Sequence, residues 1–290
     1  MSNKSNQHGR ALEFAIVQEI CARLTGKVVL TQRANDSQAK DSLHYALLSQ
    51  KMQNDFLVCS QTIYNWLEQE FTLSQTNQVN IDRFPDLSGT QGNVSDIHIK
   101  LDLAREINLS IKHRNIALKH QRPKTTPQHC GYSRDSQQSR AFYTEYERIA
   151  ARFAQQTSGR TKFNELPENI KSNYLYQPIC QLITEFINSY CQSQTNAEHL
   201  FRFLTGTTDY YKIHFDGNKR TINIVEFANL PPVKSVLAKT EKQYIYLDFS
   251  NEWCISMRLH NASRRITKNP SLKFDTQPKT MSVSETIIKI

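Results

Sequence analysis

An alternation of apolar and polar residues between positions 96 and 112 places the strongest constraint on how this chain folds. Apolar residues recur at every second position in two neighbouring runs: Ile97, Ile99, Leu101 and Leu103, then Ile107, Leu109 and Ile111. A period of two puts alternate side chains on opposite faces of a β-strand. The pattern therefore predicts two antiparallel strands joined by the polar segment 102–106.

The polar faces of these two strands carry the candidate catalytic residues. Asp96 belongs to the polar face of the first strand, and Ser110 and Lys112 belong to that of the second. Antiparallel pairing brings Asp96 close to Lys112. A carboxylate that binds a hard cation such as Mg²⁺, beside a lysine that orients a water, is the chemistry of metal-dependent phosphodiester hydrolysis. A surface ion pair on a hairpin is the simpler alternative.

The distribution of positive charge favours an anionic partner. The formal net charge is +9 and the isoelectric point is near 9.2. Residues 110–124 contain five Lys or Arg and no acidic residue, and residues 255–290 contain seven against two acidic ones. Local clusters of this kind are what phosphate contacts with a nucleic acid require, whereas a generally basic surface spreads its charge.

Length and composition bound the architecture. The 290 residues, 38% of them hydrophobic, suffice for a proper core. The length leaves room for one large domain or two small ones. The family resemblance described below implies a single domain over 1–290, with a helical and catalytic part over about 1–155 and a helical and β-rich DNA-recognition part over about 156–290. The six cysteines form no CxxC pair, so neither a zinc site nor a disulfide framework is indicated. Without an apolar leader or a run of 18 apolar residues, a soluble, cytoplasmic protein without membrane association is expected.

Two further segments before residue 155 bear on the site. Helical spacing predicts a helix over 11–24, with Glu13 on the flank of its apolar stripe. Glu13 is either a solvated helix residue or a third acidic group that points into the site. The polar segments 74–93 and 123–140 are predicted to be loops. The second of these is either a mobile basic loop that closes over DNA or an ordinary surface connection.

Strand periodicity returns after Asp209, and the last of these strands carries polar groups suited to DNA. The segments RLHNASRR and SLKFD contain the side chains that contact phosphates and the edges of guanine and adenine. The candidates there are Arg258, His260, Asn261, Ser263, Arg264 and Lys273. The alternative is that His260 and Asn261 cap a strand while the arginines are solvated.

Several of these segments, taken together, resemble type II restriction endonucleases of the HaeIII kind, close to the NgoPII kind. The resemblance is carried, in chain order, by GRALEF, SDIHI, NLSIKHRNIALKHQR, FLTGTTDYYKI, FSNEWCISMRLHNASRR and SLKFD. It implies a PD-(D/E)XK nuclease core, an α/β fold in which helices flank a mixed central sheet. The catalytic groups then lie at one edge of the sheet, and extra β-hairpins follow towards the C-terminus.

The resemblance also implies roles for the candidate catalytic residues. Asp96 matches the first acidic position, a metal ligand, and Lys112 matches the lysine. Ser110 occupies the position where the superfamily usually has Asp or Glu, so the metal needs another ligand, unless Ser110 acts through its hydroxyl or a water. Glu13 and Glu106 are the candidates. Glu106 is four residues from Ser110, about 13 Å along a strand, so Glu13 is favoured.

The implied function is Mg²⁺-dependent cleavage of double-stranded DNA at a short palindrome, GGCC, in a prokaryotic cell. A DNA methyltransferase is then a functional rather than a physical partner, and a palindrome favours action as a dimer. The DNA-binding candidates before the C-terminal segment are His113, Arg114, Asn115, Lys119, His120 and Arg122. Two alternatives remain open. One is a sequence-nonspecific nuclease of repair or recombination, and the other is a non-catalytic DNA-binding protein in which Ser110 marks a decayed site.

Overall fold

The computed structural model describes residues 4–84, 94–102, 105–113 and 117–290. Leu103, Arg114 and Asn115, for which the sequence made predictions, lie outside these residues. The helices are α1 (Lys4–Arg23), α2 (Gln32–Ala46), α3 (Gln50–Phe71), α4 (Thr126–His129), α5 (Gln137–Gln156), α6 (Glu168–Lys171), a π-helical segment (Ser172–Tyr176), α7 (Gln177–Tyr190) and α8 (Gln194–Thr205). Among the residues described, no helix has both the length and the apolar character needed to cross a membrane.

The strands form one mixed and one antiparallel sheet. They are β1 (Val28–Leu30), β2 (Val79–Arg83), β3 (Ile97–Leu101), β4 (Arg105–His113), β5 (Tyr210–Asp216), β6 (Thr221–Phe227), β7 (Val236–Glu241), β8 (Tyr244–Phe249), β9 (Cys254–Asn261), β10 (Leu272–Thr280) and β11 (Glu285–Lys289). The larger sheet has the order β1-β2-β3-β4-β5-β6-β11, and the smaller has the order β10-β9-β8-β7. The predicted fold, a mixed sheet with helices and additional C-terminal hairpins, is confirmed.

Contacts along the backbone divide the chain into two compact units. Unit 1 contains residues 1–116, 206–229 and 283–290, and unit 2 contains residues 117–205 and 230–282. Each unit therefore takes residues from both sides of position 155. That the whole chain acts as a single restriction endonuclease domain stays a prediction.

In unit 1 the mixed sheet packs one face against α1 and α3. β3 pairs antiparallel with β2 and β4, β5 runs parallel to β4, and β6 pairs antiparallel with β5. Ile97, Ile107 and Ile111 lie in a core that also contains Leu12 from α1 and Phe56 from α3. Each such side chain contributes about 1.5–3 kcal/mol on full burial. Burial of this face directs the alternate residues of β3 and β4 to the opposite face.

Part of the segment predicted to be a polar loop in unit 1 is a strand. β2 lies inside 74–93, and its residues Val79 and Ile81 are fully buried. The side chains at alternate positions, Val79, Ile81 and Arg83, are enough for a short strand once both neighbouring strands supply hydrogen bonds. The local sequence does not show that these neighbouring strands will pair with it. Residues 85–93 lie outside the described part of the chain.

In unit 2 the antiparallel sheet packs against α7, and α7 packs against α5. The predicted loop over 123–140 is wrong for much of its length, because it contains a short 3₁₀ helix, α4 and the first turn of α5. Ser136 caps α5, since its side chain accepts a hydrogen bond from the backbone N–H of Ser139 over 3.1 Å. The segment is therefore an ordered connection rather than a mobile basic loop.

Candidate active site

One carboxylate oxygen on the sheet of unit 1 accepts hydrogen bonds from three consecutive residues of β4. Oδ2 of Asp96 lies 2.7 Å from the backbone nitrogen of Ile111, 3.1 Å from Nζ of Lys112 and 3.4 Å from Oγ of Ser110. The side chains of Asp96 and Lys112 are 18% and 30% exposed, so a ligand can reach both. The predicted proximity of Asp96 and Lys112 is confirmed.

The register of the hairpin explains this convergence. Ile97 pairs with Leu109, and the backbone nitrogen of Asp96 donates to the carbonyl oxygen of Leu109 over 2.8 Å. Asp96 therefore sits at the beginning of β3, opposite the end of β4 where Ser110 and Lys112 share the polar face. The Asp96 carbonyl oxygen also accepts a hydrogen bond from Phe84, at the end of β2. Backbone pairing on both sides holds the carboxylate in place.

Glu13 is buried in an ion-pair cluster rather than solvated. Its carboxylate pairs with Arg83 of β2 and lies 3.1 Å from Nη1 of Arg10. Arg83 is itself 1% exposed and lies 3.0 Å from Asp41 of α2. Burial, and then the negative charge of Asp96, raise the pKa of Glu13 to about 7 against the opposing effect of the arginines and Lys112. Glu13 is thus within electrostatic reach of Asp96.

A second lysine, which sequence reasoning missed, lies on the same face of the sheet. β5 runs parallel to β4 with Lys212 opposite Ser110 and His214 opposite Lys112. Lys212 is 6% exposed. Loss of hydration lowers its pKa to about 7, and repulsion by Lys112 acts in the same direction. The site therefore contains two lysines close enough to repel each other.

Two residues expected at the site lie elsewhere in unit 1. Glu106 is exposed at the far end of β4, where its carboxylate is 3.5 Å from Nε2 of His98. His113 lies on the core face of β4, with its ring 5.3 Å from that of Phe56 and 5.9 Å from that of Phe215. The period of two explains the position of His113, since the odd-numbered residues of β4 point to the face opposite Ser110 and Lys112.

Within unit 2, several of the basic residues predicted to bind DNA come together on the antiparallel sheet. β9 and β10 pair so that Arg258 is opposite Asp275 and His260 is opposite Lys273. Nη2 of Arg258 is 3.9 Å from Asp275, and this arginine is 46% exposed. The adjoining segment adds His120, whose Nδ1 is 3.9 Å from Asp275, and Arg122, whose Nη1 is 3.1 Å from the carbonyl oxygen of Leu272.

Other predicted DNA contacts in unit 2 have structural partners. Nζ of Lys119 lies 3.8 Å from the centre of the Phe203 ring and donates to the Phe203 carbonyl oxygen over 3.0 Å. Burial lowers the pKa of Lys119 to about 8. Asn261 donates to the carbonyl oxygen of Ser263 over 2.8 Å, and the carbonyl oxygen of Arg264 accepts from Phe163 over 2.9 Å. These contacts shape the turn after β9.

Two tyrosines extend the polar face of this sheet and were not singled out from the sequence. Tyr244 pairs with Arg258 and Tyr246 pairs with Ser256, and the tyrosine rings are nearly parallel at 6.2 Å. Alternation along β8 was the available signal, because Ile245 and Leu247 occupy the buried positions. Alternation along β5 was the corresponding signal for Lys212, which lies between Tyr211, packed against the core, and the core residue Ile213. No local sequence pattern indicated a role for Arg83, since its partners Glu13 and Asp41 come from α1 and α2.

The side chains of unit 1 suit a hard cation better than a soft one. Asp96 and Glu13 offer carboxylate oxygens, and the charge of one raises the pKa of the other. Mg²⁺ is commonly held by one or two carboxylates with water completing its coordination. No cluster of three or more His, Cys, Asp or Glu side chains able to hold a metal occurs among the residues described. The donor set therefore fits Mg²⁺ bound largely through water.

Comparison with known proteins agrees with the resemblance noted in the sequence. The family model described as HaeIII restriction endonuclease matches residues 9–243. The chain is 28% identical over 324 aligned residues to the type II restriction enzyme HaeIII of Haemophilus aegyptius, with 99% of this chain and 98% of that enzyme covered. No solved structure matches the chain.

Proposed function

This chain belongs to the HaeIII restriction endonuclease family and is a type II site-specific endonuclease that acts on DNA, and we propose that Asp96 and Lys112 form the centre at which it hydrolyses the phosphodiester. The observation that carries this proposal is the convergence of Ser110, Ile111 and Lys112 on one oxygen of Asp96. Three donors at one carboxylate hold it in a single orientation, which a catalytic ligand requires.

Each residue has a distinct role in this scheme. Asp96 and Glu13 would hold Mg²⁺, which would neutralise phosphate charge and make a bound water more acidic. The ammonium group of Lys112 orients the attacking water and stabilises the negative charge that develops on the phosphoryl oxygens. The Ser110 hydroxyl fixes the Asp96 carboxylate. A bond forms from the water oxygen to phosphorus and the P–O ester bond breaks. The proton that the attacking water loses to solvent is balanced by the proton that the leaving oxygen takes up from solvent.

We assign recognition of the DNA to basic residues of unit 2. The polar face of β9 and β10 in unit 2 carries Arg258, His260 and Lys273, the side-chain types that contact guanine O6 and N7 or phosphate. We propose the palindrome GGCC as the site, a dimer as the acting form, and the cytoplasm of a prokaryote as the location. A DNA methyltransferase that modifies the same sequence is then the functional partner.

Digestion of an unmethylated plasmid of known sequence tests the proposal. The protein is incubated with the plasmid in Mg²⁺ and, separately, in chelator, and the ends of the fragments are sequenced. Discrete fragments that require Mg²⁺ and end within GGCC are the expected result. Discrete ends within another sequence would overturn the assignment of GGCC, while discrete fragments in chelator would overturn the role of the metal.

The same digestion separates the two alternatives that the sequence leaves open. A smear of fragments is the outcome for a sequence-nonspecific nuclease. Intact plasmid, under conditions in which the protein binds it, is the outcome for a protein with a decayed site. A plasmid methylated at GGCC is the matched control, and it should remain uncut.

A further inference from the structure

We propose that Asp275 is a specificity-determining residue of unit 2, and that its carboxylate accepts a hydrogen bond from the N4 amino group of a cytosine in the recognised DNA. Arg258, on the next strand, contacts the guanine that is paired with this cytosine. The inference rests on the proposed function and goes beyond it, because it names the base pair that these two side chains recognise together.

Asp275 lies on the open face of the antiparallel sheet, directly opposite Arg258. The pairing of β10 with β9 sets Asp275 against Arg258, and the residues on either side of Asp275, Phe274 and Thr276, are buried. Alternation therefore directs Asp275 to the face that carries Arg258. The two side chains are 18% and 46% exposed, so a ligand can reach both. A two-stranded ribbon of this kind fits the major groove of DNA.

The Asp275 carboxylate lies among three donor side chains. Nε2 of Gln277 donates to Oδ2 of Asp275 over 3.3 Å. Nη2 of Arg258 and Nδ1 of His120 each lie 3.9 Å from the carboxylate, which is too long for a direct hydrogen bond. A nearer partner of His120 Nδ1 is the carbonyl oxygen of Phe274, at 3.3 Å. An ionised carboxylate has about four acceptor sites, so Asp275 has room for a donor from a ligand.

Stability does not explain a carboxylate at this position. Ion pairs open to solvent contribute about 0–1 kcal/mol, and the 3.9 Å between Arg258 and Asp275 is long for such a pair. The negative charge also opposes DNA binding, because it repels the phosphates that basic side chains attract. A carboxylate on this face contributes to DNA affinity where the DNA offers a hydrogen-bond donor. In the major groove, the N4 amino group of cytosine and the N6 amino group of adenine are such donors.

Arg258 and Asp275 together match the major-groove edge of a G·C pair. Guanine presents two acceptors, N7 and O6, and its partner cytosine presents the N4 donor. The guanidinium group of Arg258 can donate two parallel hydrogen bonds to N7 and O6, and the carboxylate beside it accepts from N4. An A·T pair presents an acceptor, a donor and an acceptor, so one Arg258 donor would face the N6 amino group. The two residues therefore favour G·C, the base pair of which GGCC consists.

Cleavage of duplexes that lack one amino group tests the contact. Each duplex carries the site mapped by plasmid digestion, and 2-pyrimidinone, a cytosine analogue without the N4 amino group, replaces one cytosine at a time. The measured quantity is kcat/KM in Mg²⁺, which reports discrimination between substrates. At one of the cytosines, we expect the analogue to lower kcat/KM of the wild-type protein about tenfold, as for the loss of one hydrogen bond to a charged group.

Variants of Asp275 assign the effect to this carboxylate. Asp275→Ala should lower kcat/KM on the natural duplex about tenfold and show no further loss on the analogue, because losses at the two ends of one contact are not additive. Asp275→Asn should keep part of the effect, since its amide oxygen still accepts a hydrogen bond. Asp248→Ala is the control and should keep the full effect, because Asp248 lies on the same face but pairs with Lys239 over 3.2 Å.

Two results would overturn the inference. One is a wild-type protein that is indifferent to the amino group of every cytosine in the site, and this result needs no variant. The other is an Asp275→Ala variant that still loses the full tenfold on the analogue, which would make the role of Asp275 structural. Both leave Mg²⁺-dependent cleavage at GGCC by the wild type untouched, so the proposed function would stand.

Discussion

Nζ of Lys112 lies 3.1 Å from Oδ2 of Asp96, and the same oxygen accepts the backbone N–H of Ile111. This carboxylate and this ammonium group lie at the end of a hairpin, and both side chains keep some exposure to solvent. The contact is therefore available for rearrangement when substrate and Mg²⁺ arrive.

Asp96→Ala and Lys112→Ala should each abolish cleavage while leaving DNA binding largely intact. The first variant removes the principal metal ligand, and the second removes the group that orients the water, so each should lower the single-turnover rate by about a thousandfold or more. Asp82→Asn and Lys100→Ala, on the same sheet, are the matched controls. Full activity in either of the first two variants would end this assignment of roles.

Glu13→Gln should raise the Mg²⁺ concentration needed for half-maximal cleavage, because it removes one of the two proposed carboxylate ligands. Glu106→Gln should leave that concentration unchanged, since Glu106 is exposed and paired with His98. Titration of the single-turnover rate with Mg²⁺ measures both. The opposite result for the two variants would assign the second ligand to Glu106.

Arg83→Met should destabilise the protein by about 3–5 kcal/mol. The substitution leaves the carboxylates of Glu13 and Asp41 buried without the guanidinium group that joins α1, α2 and β2. Arg33→Met is the control, because the Arg33 side chain is 48% exposed, and ion pairs open to solvent contribute about 0–1 kcal/mol. Urea unfolding measures both, and equal losses would mean that burial adds nothing to the Arg83 cluster.

Arg258→Ala should weaken binding to the recognition sequence by about tenfold or more and relax discrimination against altered sites, if this arginine contacts a guanine edge. If it contacts phosphate instead, binding to all sequences should weaken equally and the salt dependence should become less steep. Arg148→Ala on α5 is the control in unit 2. An unchanged site preference with unchanged affinity would move recognition away from this face of the sheet.

Stability should fall as the pH is lowered below about 6.5, in part because of His129. The His129 ring stacks on Phe203 at 3.7 Å, and burial, followed by the charges of Lys119 and His199, lowers its pKa to about 3. As the pH falls, His129 is protonated in the unfolded chain but stays neutral in the folded chain. Between pH 7.5 and 5.5, His129 should therefore lower the free energy of unfolding by roughly 1 kcal/mol. His129→Gln should lose this part of the pH dependence, and an identical slope in the variant would contradict the assignment.

The hairpin and the Asp96–Lys112 contact were predictable because they are local. The two residues are 16 positions apart. The period of two decides which side chains share a face, and a short connection decides which strands pair. His113 was predicted to contact DNA because it lies in the basic segment 110–124, although the period of two puts it on the core face. The positive charge of a segment therefore does not by itself tell which of its side chains face solvent.

The sequence alone determined the hairpin, the positions of Asp96, Ser110 and Lys112 on it, and the family to which the chain belongs. The tertiary structure decided what surrounds them. Glu13 forms an ion pair with Arg83, 70 residues further along the chain. Lys212 is opposite Ser110 only because β5 runs parallel to β4 after a long excursion of the chain. No local sequence pattern encodes such pairings. A parallel neighbour is joined by a long crossover connection, so its place depends on how the helices pack on the sheet and on which charged side chains are buried between them.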